Sequence, residues 1–282
     1  MKVGKFMMPL HPPEKDRTQT FEEDAECIIL ADELGFSEAW IGQHHSAGWE
    51  PIPANDVFIA NLLPQTRNIR LGTGVSIMTQ HHPTNIAVRL AYLDHLARGR
   101  LNVGFGQGGV PTDWALFDLP DPRTQGLMTL EAMEIVLKLW QAREPFEFKG
   151  DFWNVKLDDE IPELGLGQIL QPYQKPHPPI WIGAVAEKAI ERAAKMGFHF
   201  QVAGPPRMVE YYDKCLEAAG RNPQDYNTAQ LRWVHVAQSR DQAWETAAQS
   251  LHYTAKRYAE WFAEANDKPG DDQAAANFPS VD

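Results

Sequence analysis

Short apolar runs alternate with longer segments of helical period along most of the chain. Lys2 to Met8 reads as a first strand. Thr20 then opens a helix, with Glu23 three residues later as a capping box. Phe21, Ala25, Ile28 and Ile29 give that helix its buried stripe, and Gly35 ends it. The runs Ser37 to Ile41, Ile69 to Met78 and Leu101 to Phe105 predict three more strands. The helices between them cover Asp56 to Leu63 and the stripe Ile86, Leu90, Leu93, closed by Gly99. Met133, Val136, Leu137 and Trp140 mark the helix after the fourth strand. The rhythm breaks from Pro145 to Pro179, an apolar patch (Phe152, Trp153, Val155) followed by a Gly/Pro-rich stretch, read as an insertion that can serve as a lid. It resumes with strands at Ile180 to Ala184, Phe198 to Ala203 and Ala229 to Ala237. Their helices carry Ile190, Ala193 and Ala194, then Val209, Tyr212 and Leu216, then Trp244, Ala247, Ala248, Leu251, Ala255 and Tyr258.

Strict alternation over seven units predicts parallel strands with right-handed crossovers. A doubly wound sheet satisfies the same alternation, but no Gly-x-Gly-x-x-Gly turn follows the first strand. The expected architecture is a (β/α)8 TIM barrel forming a single domain over residues 1–282. Seven strands do not close it, and Asn266 to Asp282 is too polar and small to offer an eighth. Either the chain stops before its last unit or the closure is unusual; the first reading is favoured.

Composition narrows the function. A net charge of -12 argues against nucleic-acid and anionic-membrane partners, which favour basic surfaces. No apolar run approaches the roughly 18 residues that span a bilayer. The N-terminus reads as a strand rather than a signal peptide. Cys27 and Cys215 lie in helical segments without metal spacing, as free thiols of a reducing compartment do, so the cytoplasm is the expected location.

In an α/β barrel the chemistry sits at the C-terminal ends of the strands. There the chain places Gly42-Gln43-His44-His45-Ser46, then Thr79-Gln80-His81-His82-Pro83, then Gly104-Phe105-Gly106-Gln107-Gly108-Gly109 with Asp113 and Trp114 beyond. Successive residues at a strand end point opposite ways, so two histidine pairs supply at most two metal ligands, and no metal is expected. His45 and His81 read as hydrogen-bonded scaffold. Four glycines in six residues would let a flat ligand or a phosphate approach the backbone. Gly183-Ala184-Val185-Ala186 ahead of Glu187 reads equally well as an anion-binding helix start or as a plain one. Trp49, Phe105, Trp114 and Phe117 make the neighbourhood aromatic.

At these residues the sequence resembles the bacterial-luciferase-like flavin monooxygenases. The matching stretches are Gly35 to His45, Ile69 to Gly74, His82-Pro83, Leu93 to Leu101 and Pro179 to Gly183. Glu38 to Glu50 and the Asp94-to-Gly109 region are most similar to limonene monooxygenase-type members. The resemblance implies FMN, reduced by a separate flavin reductase, and O2, which together oxygenate a small apolar substrate (terpene, long-chain aldehyde or hydrocarbon) through a C4a-peroxyflavin. It implies a catalytic role for His44, a non-proline cis peptide at Gly74-Val75 under the flavin ring, and a homodimer. The cradle it implies comprises Gly74, Val75, Thr79, Gly106, Gln107, Asp113, Gly183, Ala184, Val185 and Ala186. The chain departs from the family at Gln43, usually Glu; at Gln107, where luciferase has arginine; and at Val185-Ala186, acidic or hydroxyl residues in luciferase. These departures leave open how the flavin phosphate is held. An F420-dependent dehydrogenase and a non-catalytic flavin-binding subunit are the alternatives on the same fold.

Overall fold

A computed structural model describes residues 2–8, 10–142, 145–158 and 161–266. Seven strands form one parallel sheet: β1 (Gly4–Met7), β2 (Glu38–Ile41), β3 (Arg70–Ile77), β4 (Leu101–Gly106), β7 (Ile180–Gly183), β8 (His199–Val202) and β9 (Thr228–Gln230). Their order in the sheet is their order in the chain, β1-β2-β3-β4-β7-β8-β9. A doubly wound sheet reverses direction at a switch point; this one does not, so it is wound one way like a barrel wall.

The sheet is strongly curled. β2 and β7 are three strand spacings apart, about 14 Å across a flat sheet. Yet the rings of Trp40 on β2 and Trp181 on β7 meet edge to face with centroids 5.2 Å apart. Only a sheet wrapped around that face brings them together. Among the described residues β9 and β1 are not paired, so the strands make an open, curled sheet rather than a closed barrel.

The outer face carries the core. Ala39, Ile41, Leu71, Leu101, Val103 and Phe105 pack against α1 (Arg17–Glu33), α2 (Asn55–Leu62), α3 (Pro83–Ala97) and α5 (Pro122–Gln141). Trp140 of α5 is buried against Phe105, and its indole N–H donates to Ala87 O of α3 at 2.9 Å. A smaller cluster joins β8 to α6 (Glu187–Met196) and α7 (Arg207–Ala218) through Ile190, Phe200, Tyr212 and Leu216. A last long helix, α8, spans Arg240–Asn266. No helix among the described residues is long and apolar enough to cross a membrane. Cys27 and Cys215 are free thiols.

Three sequence expectations change. The first helix begins at Arg17, not Thr20: Asp16 caps it by accepting from Gln19 N–H, while the Thr20 hydroxyl donates back to Arg17 O. The run Ala229 to Ala237 pairs with β8 only over Thr228–Gln230; Trp233, Val234 and Val236 beyond it are exposed. The insertion is not featureless. β5 (Phe146–Lys149) and β6 (Asn154–Leu157) form an antiparallel hairpin. Its turn is held by the Glu131 carboxylate of α5, which accepts the N–H groups of Asp151, Phe152 and Trp153. Further along, Gln174 donates to Asp94 and to Leu101 O, at the end of the sheet opposite the strand ends from which a lid would act. The tail segment 267–282, where no eighth strand was expected, lies outside the described residues.

Candidate active site

The loop leaving β2 carries His44, and three features fix it. His44 N–H donates to Ile52 O at 3.0 Å, which folds residues 44–52 back on themselves. The Asp113 carboxylate of α4 (Pro111–Leu116) accepts the backbone N–H groups of His45 at 3.2 Å and Ser46 at 2.7 Å, and also the Ser46 hydroxyl. Glu50, wholly buried, faces the imidazole, with its Oε2 2.6 Å from His44 Nε2. On the other side of the ring Asp113 Oδ2 lies 3.9 Å from Nδ1. His44 thus stands between two buried carboxylates. Glu50 brings beside the imidazole the carboxylate that Gln43 does not supply.

Glu50's second oxygen accepts the hydroxyl of Tyr258 at 2.6 Å, and Tyr258's ring packs edge to face on Trp49 at 5.2 Å. Burial, reinforced by the Glu50 charge, pushes the Tyr258 hydroxyl well above the ordinary tyrosine range, so it stays a donor. Sequence reasoning missed both residues. Glu50 entered only as the end of a matching run, and Tyr258 as one of several positions on a helix face.

His45 turns away from His44. Its Nε2 lies 3.1 Å from Gln43 Nε2, and its ring meets Phe117 at 4.8 Å and His81 at 6.3 Å. Burial pushes the pKa of both His45 and His81 down, so both are neutral at pH 7. His82 instead caps α3, its Nδ1 accepting from Thr84 N–H ahead of Pro83. Among the described residues no group of three or more His, Cys, Asp or Glu is placed to hold a metal ion.

β3 passes through a cis peptide at Gly74-Val75, where its pairing with β4 shifts register. Asn55 of α2 donates to Val75 O at 3.1 Å. The four glycines of the β4 end have separate reasons. A Cβ on Gly104 would come within 2.3 Å of Thr73 O, and one on Gly106 within 2.5 Å of Val75 Cγ2. At these two positions the close approach of β3 by itself requires glycine. Gly108 has φ +83°, and only Gly109 faces open space. Thr79 donates to Gln107 O at 3.1 Å, and the Gln107 amide donates to Pro122 O at 2.9 Å, tying this loop to α5. Phe105 faces the helical core rather than the mouth.

The second patch lies apart from these residues in the chain. Gly183 ends β7, and a Cβ there would meet nothing closer than 3.8 Å. Ala184 and the exposed Val185 lead to Ala186, which caps α6 without a side-chain hydrogen bond. Glu187 in the first turn opposes an anion there through its charge.

Comparison with known proteins supplies the family. The Luciferase-like monooxygenase family model matches residues 1–281. The chain is 32% identical over 257 residues to 4-hydroxyprotoasukamycin monooxygenase of Streptomyces nodosus subsp. asukaensis, covering 86% of this chain and 66% of that protein. It is 29% identical to limonene 1,2-monooxygenase of Rhodococcus erythropolis (89% and 64%) and 27% identical to the oxygenase component of flavin-dependent trigonelline monooxygenase of Acinetobacter baylyi (88% and 68%). It therefore spans about two thirds of the length of these relatives. The fold superposes with TM-score 0.84 on the oxygenating constituent of 3,6-diketocamphane monooxygenase of Pseudomonas putida, solved with FMN, at 24% identity over 92% of this chain and 74% of that one. With a histidine poised at the strand ends of a singly wound parallel sheet and a family match over nearly its whole length, the chain belongs to the luciferase-like monooxygenase family.

Proposed function

We propose that the protein is an FMN-dependent monooxygenase that uses reduced flavin and O2 to oxygenate a small apolar substrate, a terpene, long-chain aldehyde or hydrocarbon. The observation that carries this reading is His44, held at the strand ends between Glu50 and Asp113. An imidazole so placed can give or take a proton beside a reacting oxygen. The mouth also fits a polar heteroaromatic ligand. Both amide atoms of Gln80 and the indole nitrogen of Trp114 are buried without a hydrogen-bond partner among the described residues. Buried polar groups of this kind need a partner.

Gly74, Val75, Thr79 and Gly106 would hold the ring system, with Gln107 and Asp113 bracing the loops on either side and Gly183 to Ala186 offering backbone N–H groups to the phosphate. Reduced FMN supplies the electrons that activate O2. The protein's own part is to orient His44, to set Trp49, Trp114 and Phe117 against water, and to keep His45 and His81 uncharged near the reacting atoms. A separate reductase supplies the reduced flavin, a reading supported by a relative named as an oxygenase component. The protein acts as a homodimer in the cytoplasm.

The test supplies purified protein with FMN, NADH, a flavin reductase and 18O2 against a panel of terpenes, aldehydes and hydrocarbons. One 18O atom per product is expected, with turnover falling about 10²- to 10⁴-fold in His44→Ala. Absence of labelled product, or hydride transfer from substrate to F420 in place of oxygenation, would overturn the reading.

A further inference from the structure

We propose that Glu50 and Tyr258 are positioning residues for His44, a hydroxyl–carboxylate–imidazole chain that fixes which ring nitrogen exchanges protons. The claim that this serves catalysis rests on the oxygenase reading above; the chain itself rests on geometry. Tyr258 Oη donates to Glu50 Oε1 at 2.6 Å, and Glu50 Oε2 faces His44 Nε2 at 2.6 Å. A carboxylate with no exposed surface stands only if donors meet it. Tyr258 donates to one of its oxygens, and the His44 imidazole nitrogen lies within ion-pair distance of the other. With Nε2 facing Glu50, the carboxylate favours the tautomer that carries the proton on Nε2, as an aspartate fixes the tautomer of a triad histidine.

Two supports come from elsewhere in the chain. Glu50 is held from behind: its N–H donates to Ala47 O, and Trp49 O accepts His11 N–H, so the loop that presents it is pinned to the segment after β1. Tyr258 is held by its ring on Trp49. The carboxylate therefore sits on a braced loop, and its donor on a helix more than 200 residues away in sequence. Asp113 plays a different part. Its oxygens are engaged by His45 and Ser46, and at 3.9 Å from Nδ1 it contributes charge rather than a hydrogen bond.

The titratable groups around the ring are Glu50, Asp113, Tyr258 and, one residue along, His45. Two variants remove the chain's two links. Glu50→Gln keeps the shape but replaces the carboxylate by an amide that can donate as well as accept, and Tyr258→Phe removes the hydroxyl donor. In protein labelled with 15N-histidine, with no flavin or substrate present, the His44 ring resonances report Nε2 as the nitrogen that carries the proton of the neutral ring; that preference is lost in Glu50→Gln and weakened in Tyr258→Phe. A wild-type ring protonated on Nδ1, or a tautomer unchanged in Glu50→Gln, overturns the proposal. In the reductase-coupled assay Tyr258→Phe lowers kcat about tenfold while FMN affinity, read by fluorescence, stays within twofold; an unchanged kcat also overturns it. If the wild-type protein oxygenates nothing, the oxygenase reading falls, and the ring resonances still decide the chain.

Discussion

At the scale of single residues, the strand ends reward attention to what each side chain touches. The glycines after β4 look alike in sequence and differ in the fold. Gly106 has no room for a methyl group, because Val75 stands where a Cβ would go, whereas Gly109 has nothing within 4 Å. Gly106→Ala therefore destabilises the protein by about 1–3 kcal/mol through overpacking, and Gly109→Ala leaves stability within about 0.5 kcal/mol. Urea denaturation of the two variants measures the contrast. Equal losses would mean that the β3–β4 approach is not what selects glycine. The same scale separates the neighbouring histidines. His44 is flanked on both sides by carboxylates; His45 turns into an aromatic and amide setting, and burial keeps it neutral.

At the scale of elements, the segment after β9 is the most exposed stretch between two regular elements among the described residues. Residues 232–239 are exposed throughout, with Val234 at 80% and Val236 at 86%. Limited trypsin digestion should cut first at Arg232 or Arg240, before any site in α1, α3 or α5; mass spectrometry of the earliest fragments reads the order, and an earlier cut inside those helices would sink the expectation. This segment also shows where sequence reading stops. Leu231 to Ala237 has the composition of a strand, and composition is all that a sequence offers. Whether it pairs depends on a neighbour in space, and β8 runs out at Val202. The runs flanked by partners on both sides, Ile69 to Met78 and Leu101 to Phe105, were legible because apolar residues recur at alternate positions, Ile69 and Leu71 in one and Leu101, Val103 and Phe105 in the other. The start of α1 was misplaced because Thr20 and Glu23 make a capping pattern that Asp16 makes equally well. Glu50 and Tyr258 were illegible for a further reason: a lone carboxylate in a loop and a tyrosine on an apolar stripe carry no signal until the fold brings them together.

At the scale of the whole molecule, proton binding ties stability to pH. Burial holds the folded-state pKa of His45, His81 and His199 below that of the unfolded chain. Each must therefore stay neutral to stay folded, while the unfolded chain takes up a proton near pH 6.5. Their contribution is fully present above that value and is lost as pH falls through it toward the lowered folded pKa. Thermal unfolding followed between pH 7.5 and 5.5 should show Tm falling toward the acid side, and His199→Asn should flatten the slope. A Tm that rises on acidification would contradict the sign.

The hydrogen bond from Tyr258 to Glu50 has a consequence in time. A ribosome delivers the N-terminal elements first, and they begin to fold as they emerge. The strand ends and the His44 loop are thus made long before the helix that supplies the last donor. Until α8 docks, the buried Glu50 carboxylate lacks the hydroxyl that Tyr258 brings to it. The His44 loop is therefore completed by an element synthesised well after the strands around it, and a copy cut ahead of Tyr258 would leave Glu50 without its hydroxyl donor.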